Sequence, residues 1–170
     1  MPAAANDTVL CRRLYLDIVG RPPTSDEIRQ FLETKDRPAL IKKLVNSEGY
    51  VHHMYSFWAD LLRVKRNLND NVGQLYGDAY IEWLKEQIRA NTPYNKLTKS
   101  LLGANGNIWE NPATGYLLRD LGMPLDNLSN TTQIFLGIDM ACAQCHDHPF
   151  DEWTQMDFYK SAAFFAQVAT

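Results

Sequence analysis

The sequence predicts an all-α domain, a compact bundle of about seven to eight helices. Apolar residues recur three and four positions apart along most of the chain, and no segment alternates polar and β-branched residues as an amphipathic strand does. The apolar fraction of 45% and the charged fraction of 22% are ordinary for a globular protein. Because 170 residues suffice to bury a core, we expect residues 1–170 to form a single all-helical domain.

Four helices are predicted in the first third of the chain. The first has apolar residues four positions apart and is ended by Gly20 and the prolines that follow. A capping box of Thr24 and Glu27 begins the second helix, and Asp36 caps the third. The fourth opens at Ser47 and carries the longest apolar stripe, which we expect to face the core: Tyr50, Met54, Phe57, Trp58 and Leu61.

A polar segment, residues 67–73, is predicted to be a loop that precedes two further helices. The first of these ends near Pro93, and the second runs from there to Gly103. The stretch 103–124 is rich in glycine and proline, so a loop of about 20 residues is expected. This loop either walls a cofactor or runs over the surface, and its apolar side chains are Trp109, Tyr116, Leu117 and Met123.

A helix beginning at Asp126 or Ser129 leads into a cysteine-containing segment, whose own helix must end before Pro149. Thr154 with Asp157 is a second capping box and begins the closing helix. The apolar residues of that helix either cover a large flat cofactor or belong to the core: Phe158, Tyr159, Ala162, Phe164 and Phe165.

The strongest chemical signal is the pentapeptide Cys142-Ala143-Gln144-Cys145-His146. Two cysteines three apart, followed at once by histidine, form the attachment pattern of c-type haem. On one helical turn Cys142 and Cys145 share a face, so each sulfur can bond one of two vinyl groups on the same porphyrin edge. His146 then lies under the ring, where its imidazole can bind the iron on the proximal side. A haem-attachment helix is therefore predicted near the C-terminus.

The same cysteines permit two other interpretations. Zinc can be held by Cys142, Cys145 and His146 or His148, with a remote fourth ligand. The cysteine pair can also stand without a cofactor, either reduced or as a disulfide. Cys11 has no partner at a ligand-like spacing, so we predict that it is a small core residue.

The sequence leaves the sixth ligand of a haem iron open. Soluble cytochromes c often take an axial methionine from far downstream, but only 24 residues follow His146. The candidates are therefore one downstream residue and several upstream ones: Met156, His52, His53, Met54 and Met123. His148 is too close to His146 to swing round the ring, so we expect it to hydrogen-bond a haem propionate or Asp151.

Three functions correspond to these alternatives. The leading one is one-electron transfer by a monohaem c domain to a redox partner protein or a neighbouring domain of the same chain. An iron with an open sixth position would instead make a peroxidase-like enzyme, with His52 or His53 as its acid–base group. A zinc-stabilised segment would make a non-redox interaction module. The net charge of −3 offers no basic face to nucleic acid, and no apolar run is long enough to span a membrane.

The first residues, 1–6, have neither the basic nor the apolar region of a signal peptide. Covalent haem c, however, is assembled outside the cytoplasmic membrane in bacteria. We therefore expect this chain to be a fragment of a longer exported protein, periplasmic or extracellular.

Several longer segments carry a family resemblance. They are Arg12-Arg13-Leu14-Tyr15-Leu16-Asp17, Gly20 with Pro22-Pro23-Thr24, Pro93-Tyr94, Asn130-Thr131, Phe135-Leu136-Gly137, the run from Cys142 to Asp151, Trp153-Thr154-Gln155 and Ala162-Ala163-Phe164-Phe165. On these residues the chain resembles a domain family of unassigned function from planctomycete-type exported proteins that also carry cytochrome c domains. The resemblance implies export, a longer parent chain and a redox role, but no known reaction. Relatives often have a His-Trp pair where this chain has Phe57-Trp58, which leaves the sixth ligand open.

Overall fold

The computed structural model describes residues 5–68 and 75–167. All regular structure in these two ranges is helical, which confirms the predicted all-α class. The α-helices are α1 Asp7–Val19, α2 Ser25–Thr34, α3 Arg37–Val45, α4 Glu48–Leu61, α5 Leu75–Arg89, α6 Tyr94–Leu102, α7 Gly115–Leu118, α8 Pro124–Leu136 and α9 Gln155–Ala162. Two 3₁₀ turns, Pro112–Thr114 and Ala141–Gln144, precede α7 and α9. Most of the predicted polar loop, 69–73, lies outside the described residues.

The chain divides into two compact units. The first unit holds the residues up to Trp58 together with Ile88–Asn91, and the second unit holds Ala59–Gln87 and the residues from Thr92 onward. The cysteine motif therefore belongs to the second unit.

Short-range signals set the helix ends of the first unit. Gly20 ends α1 in the left-handed region, with φ of 71°, and the His53 ring packs so closely on it that a β-carbon there would overlap the imidazole. The predicted capping box is present: the Thr24 amide donates to the Glu27 carboxylate at 2.7 Å, and the Glu27 amide donates to Thr24 Oγ1 at 3.3 Å. The expected Asp36 cap is also formed, with Ala39 as the donor at 2.9 Å.

The core of the first unit lies among α1, α2 and α3. Cys11 is fully buried within it, as predicted, and burial raises the pKa of its thiol. At the edge of this core Arg21 binds Glu27 at 2.7 Å, and that hydrogen bond lowers the pKa of the Glu27 carboxyl to about 2. The other buried members of the core are Tyr15, Phe31, Leu40 and Leu44.

The apolar stripe of α4 does not face the core as a whole, so that prediction was wrong in part. Val51 is the deeply buried residue of the helix, whereas Phe57 is 57% exposed and contacts Trp58 edge to face. At about 100° per residue, Phe57 lies about 120° around the helix from Val51. The stripe is therefore only partly covered: Phe57 and Leu61 are exposed, whereas Tyr50, Met54 and Trp58 are half-buried.

The predicted loop 103–124 contains regular structure and buried side chains, which corrects its description as a loop. It includes the 3₁₀ turn Pro112–Thr114 and the short helix α7, and Ile108 and Tyr116 are buried. Gly115 is helical, and a β-carbon there would come within 2.6 Å of Tyr80. Glycine is used here for close packing rather than for turning the chain.

A buried polar cluster joins α7 to its surroundings in the second unit. The Arg119 side chain is fully buried and donates to Asp120 Oδ2 at 3.0 Å, to the Leu62 carbonyl at 2.8 Å and to the Tyr116 hydroxyl at 3.1 Å. Asp120 also accepts from Asn130 at 3.2 Å. A buried charge is tolerated when its partners are this complete, so we interpret the cluster as structural.

Helix α8 begins at Pro124, earlier than the predicted Asp126 or Ser129. Proline is well suited to the first helical position, because the amide it lacks would have no partner within the helix. The helix ends at Gly137, whose φ of 68° turns the chain towards the cysteine motif. No helix in the described ranges combines the length and the apolar character that crossing a bilayer requires.

Candidate cofactor-attachment site

The cysteine motif lies on a short turn between α8 and α9. The predicted attachment helix is one 3₁₀ turn, Ala141–Gln144, rather than an α-helix, because Gly137 has already ended α8 and no apolar period follows it. Residues three apart are eclipsed in a 3₁₀ turn, so Cys142 and Cys145 still share a face. The Cys145 amide donates to the Cys142 carbonyl at 3.5 Å and closes the turn.

Ala143, between the two cysteines, fixes the orientation of the turn. It is fully buried and packs with Met140, which is 3% exposed, against residues of α8 and α9. Because Ala143 points inward, the cysteines on either side of it point outward. Both Cys142 and Cys145 are exposed and carry free thiols.

His146 is exposed, and its ring orientation is set by its own neighbour. Its Nδ1 atom lies 2.6 Å from the carbonyl oxygen of Asp147. A carbonyl oxygen can only accept, so Nδ1 carries a hydrogen, and in the neutral ring Nε2 then has the lone pair. This is the usual arrangement of a metal-binding histidine, in which one nitrogen donates to the backbone and the other binds the metal.

Helix α9 holds the residues on both sides of His146. The Gln144 carbonyl accepts from Gln155 Nε2 at 3.1 Å and from the Tyr159 hydroxyl at 3.2 Å. The Asp147 carboxylate accepts from the Gln155 amide at 2.8 Å, which satisfies a free donor of the first turn of α9. The expected capping box of Thr154 and Asp157 is also formed in both directions. The His146 backbone is therefore fixed against the start of α9.

His148 does not bind Asp151, so that one of its two expected partners is wrong, and the haem propionate stays a prediction. Its Nδ1 accepts from the Phe150 amide at 3.3 Å, so its Nε2 donates to the Asp139 carbonyl, 3.1 Å away. The Asp151 carboxylate instead accepts from the Glu152 amide at 3.0 Å. Both nitrogens of His148 are thus used in holding the loop that follows the motif.

The candidate distal ligands are placed on different elements. His52, His53 and Met54 lie on α4 in the first unit, where His52 is exposed and the other two are half-buried. Met123 and Met156 belong to the second unit and are 50% and 61% exposed. Met156 is the second residue of α9 and follows Gln155, which contacts Gln144 and Asp147.

The closing helix and the residues beside it have a buried side and an exposed side. Phe158 and Ala162 are buried in the core beneath the motif. Tyr159 is 45% exposed and Phe164 is 80% exposed, and Phe150, just after the motif, is 94% exposed. Of the four apolar residues proposed for a loop wall, Tyr116 is buried, whereas Trp109 and Met123 are exposed.

The residues present fit the donor set of a c-type haem. Two outward thiols stand one turn apart, and the adjoining imidazole keeps a free Nε2. In the described part of the chain, no group of three or more His, Cys, Asp or Glu side chains is arranged to hold a metal ion. A haem does not need a cluster of three protein ligands. Its porphyrin would supply four nitrogen ligands to the iron, and the two cysteine sulfurs would be bonded to carbon atoms of the porphyrin.

Comparison with known proteins places the chain in a family. No curated protein and no solved structure matches it. A family model described as "PSCyt2: Protein of unknown function (DUF1549)" matches residues 1–170. The match confirms the expected membership of a family without an assigned function. The chain therefore belongs to the PSCyt2 family of proteins of unknown function.

Proposed function

We propose that this chain binds haem c covalently through Cys142 and Cys145, with His146 as the proximal iron ligand, and passes single electrons. The observation that supports this most directly is the combination of two free outward thiols with an imidazole whose Nδ1 is held by the Asp147 carbonyl. A structural cysteine pair would have no need of the adjoining imidazole or of its orientation.

Each residue has a definite part in this proposal. Cys142 and Cys145 each add their S–H bond across one vinyl group, the sulfur to one carbon and the hydrogen to the other, so no oxidant is consumed. His146 gives the Nε2 lone pair to the metal, and the Asp147 carbonyl strengthens that bond by accepting from Nδ1. The bound haem supplies a one-electron Fe(III)/Fe(II) couple.

The motif turn is held by groups that do not themselves bind the haem. Ala143 packs in the core, and Gln144 and Asp147 are tied to α9. A motif turn held at both ends would keep a bound porphyrin in one orientation relative to the fold.

We place this function in an exported protein, periplasmic or extracellular. Thioether-bound haem requires maturation outside the bacterial cytoplasm. The electron partner is then a redox protein in that compartment or a neighbouring domain of the same parent chain.

The test is the mass of the exported and matured protein under denaturing conditions. We expect about 616 Da above the polypeptide, the mass of one haem added without loss. Cys142→Ala and Cys145→Ala should each weaken retention of the haem, and His146→Ala should abolish the normal absorption spectrum.

Cys11→Ala is the matched control, because Cys11 is a buried cysteine outside the motif and should leave the haem content unchanged. A matured protein that is colourless, with the thiols of Cys142 and Cys145 both free to react, would refute the proposal. Stoichiometric zinc in such a protein would favour the interaction module instead.

A further inference from the structure

One peptide group beside the cysteine motif contacts the ring of His146 and is itself held on its other side. The carbonyl of the peptide that joins Asp147 to His148 accepts from His146 Nδ1 at 2.6 Å. The N–H of the same peptide donates to the Trp153 carbonyl at 2.8 Å. Because a peptide group is planar, the bond to Trp153 restricts the directions in which the Asp147 carbonyl can point.

The Asp147 side chain supplies a second attachment. Its Oδ1 atom accepts from the Gln155 amide at 2.8 Å. Gln155 is the first residue of α9, so this amide has no acceptor within its own helix, and a negative charge is favourable at a helix N-terminus. The bond to Trp153 alone would leave the peptide free to rotate about that bond. The two attachments together hold the Asp147 carbonyl in one direction.

Two histidines of this loop are held in opposite tautomers. His146 is exposed, so no core packing selects its tautomer, and its Nδ1 carries a hydrogen because it meets a carbonyl. The Nδ1 atom of His148 meets the Phe150 amide instead and accepts from it, so the hydrogen of that ring is on Nε2. In both rings the backbone group that lies against Nδ1 determines which nitrogen keeps a lone pair.

We propose that Asp147 is a positioning residue for His146, an inference that deepens the haem function proposed above. By binding the start of α9, its carboxylate holds the carbonyl that selects the Nδ1–H tautomer of His146. That tautomer leaves Nε2 to the iron. The carboxylate acts through its own main chain, so it needs no bond to the imidazole or to the haem.

The test measures the tautomer of His146 by nitrogen NMR of the full chain, at a pH where the imidazole is neutral, and it needs no haem. The wild type should be mainly in the Nδ1–H form, with His148 in the Nε2–H form as the internal reference. Asp147→Ala removes the bond to Gln155 and should lower the ratio of Nδ1–H to Nε2–H by about two- to tenfold, the equivalent of one hydrogen bond. Asp147→Asn keeps an acceptor oxygen and should retain the wild-type ratio.

Asp151→Ala is the matched control. Asp151 is an exposed carboxylate of the same loop and accepts from the Glu152 amide, so its loss should leave His146 unchanged. An Asp147→Ala protein whose His146 stays in the Nδ1–H form would overturn the proposal. An equal change in Asp147→Asn or in Asp151→Ala would also overturn it, because charge rather than the bond to α9 would then be responsible.

The same variants of the matured protein are compared by reduction potential. An imidazole that donates from Nδ1 is a stronger ligand and favours Fe(III), so Asp147→Ala should have a higher potential than Asp147→Asn. A tenfold weaker preference for Fe(III) corresponds to about 59 mV, and equal potentials in the two variants would contradict the proposal. A matured protein without haem would refute the proposed function, whereas the tautomer, measured without haem, still decides the role of Asp147.

Discussion

Replacing Arg119 by methionine removes a guanidinium that is fully buried in the second unit. The change keeps much of the side-chain volume but leaves the Asp120 carboxylate, which is 2% exposed, without its closest cation. Lys65 lies 4.0 Å from that carboxylate and Asn130 still donates to it. The Asp120 charge therefore keeps two partners but loses its nearest cation. The Leu62 carbonyl loses the donor that Arg119 gives it at 2.8 Å.

The expected loss of stability is about 4 kcal/mol. Removing one partner of a buried ion pair costs about 3–5 kcal/mol, and a buried carbonyl left without a donor costs about 1–3 kcal/mol. The two costs are not independent, because the residues around Asp120 and the Leu62 carbonyl are in contact and rearrange together. We therefore do not add them. In a chain of this size 1 kcal/mol corresponds to about 2–4 °C in Tm, which gives a decrease of about 8–16 °C.

Urea unfolding followed by far-ultraviolet circular dichroism measures this loss, with every variant in the same haem state. The second change in Arg119→Met/Asp120→Asn removes the buried negative charge that Arg119 no longer balances, and it should recover at least half of the stability. Arg29→Met is the control, since Arg29 and its partner Asp26 are both mostly exposed, and it should cost about 0.5 kcal/mol or less. A loss below about 1 kcal/mol for Arg119→Met would show that the cluster does not hold α7 in place.

Two further predictions concern single contacts. The hydrogen bond from Arg21 depresses the folded-state pKa of Glu27 to about 2, so its stabilisation is complete above the unfolded pKa of about 4.3 and is lost as the pH falls towards 2. Glu27→Gln should therefore flatten the decline in Tm between pH 5 and 2, and an unchanged acid limb would contradict this. Gly115→Ala should destabilise by about 1–3 kcal/mol in urea unfolding, because the new methyl group meets Tyr80. A neutral Gly115→Ala would mean that Tyr80 can move aside at no cost.

The parts of the fold that the sequence predicts well depend on neighbours in the chain. Thr24 and Glu27, and likewise Thr154 and Asp157, satisfy each other's helix-end groups within four residues. Gly20 ends α1 by its own backbone conformation. Such features need no knowledge of tertiary structure, and all of them were predicted.

The features that were missed depend on residues far apart in sequence. Gly115 is indistinguishable from a turn glycine until Tyr80 is known to pack on it. Arg119 looks like a surface residue until Leu62, 57 positions earlier, is found to accept its hydrogen bond. Phe57 was assigned to the core because periodicity gives the apolar face of a helix but not which flank of it the neighbours cover.

The candidate site shows the same division. The pentapeptide makes Cys142, Cys145 and His146 the candidate site by local spacing alone, and their role stays a prediction. The hydrogen bonds of His148 to Asp139 and Phe150 depend on how the loop folds, and the expected bond to Asp151 was therefore wrong. The link from α9 to the motif could not be predicted, because backbone carbonyls such as that of Gln144 leave no trace in a sequence pattern.

The two spacer residues of the motif do different jobs. Ala143 is fully buried with its single methyl group, while Gln144 accepts two hydrogen bonds from α9 through its main-chain carbonyl. The first spacer position should therefore reject any larger side chain, and the second should accept almost any residue other than one that distorts the backbone. If the pentapeptide were grafted onto another protein, that protein would need a buried cavity the size of a methyl group beneath the turn. It would also need two hydrogen-bond donors beside the turn, as Gln155 and Tyr159 are here, for the two sulfurs to point outward.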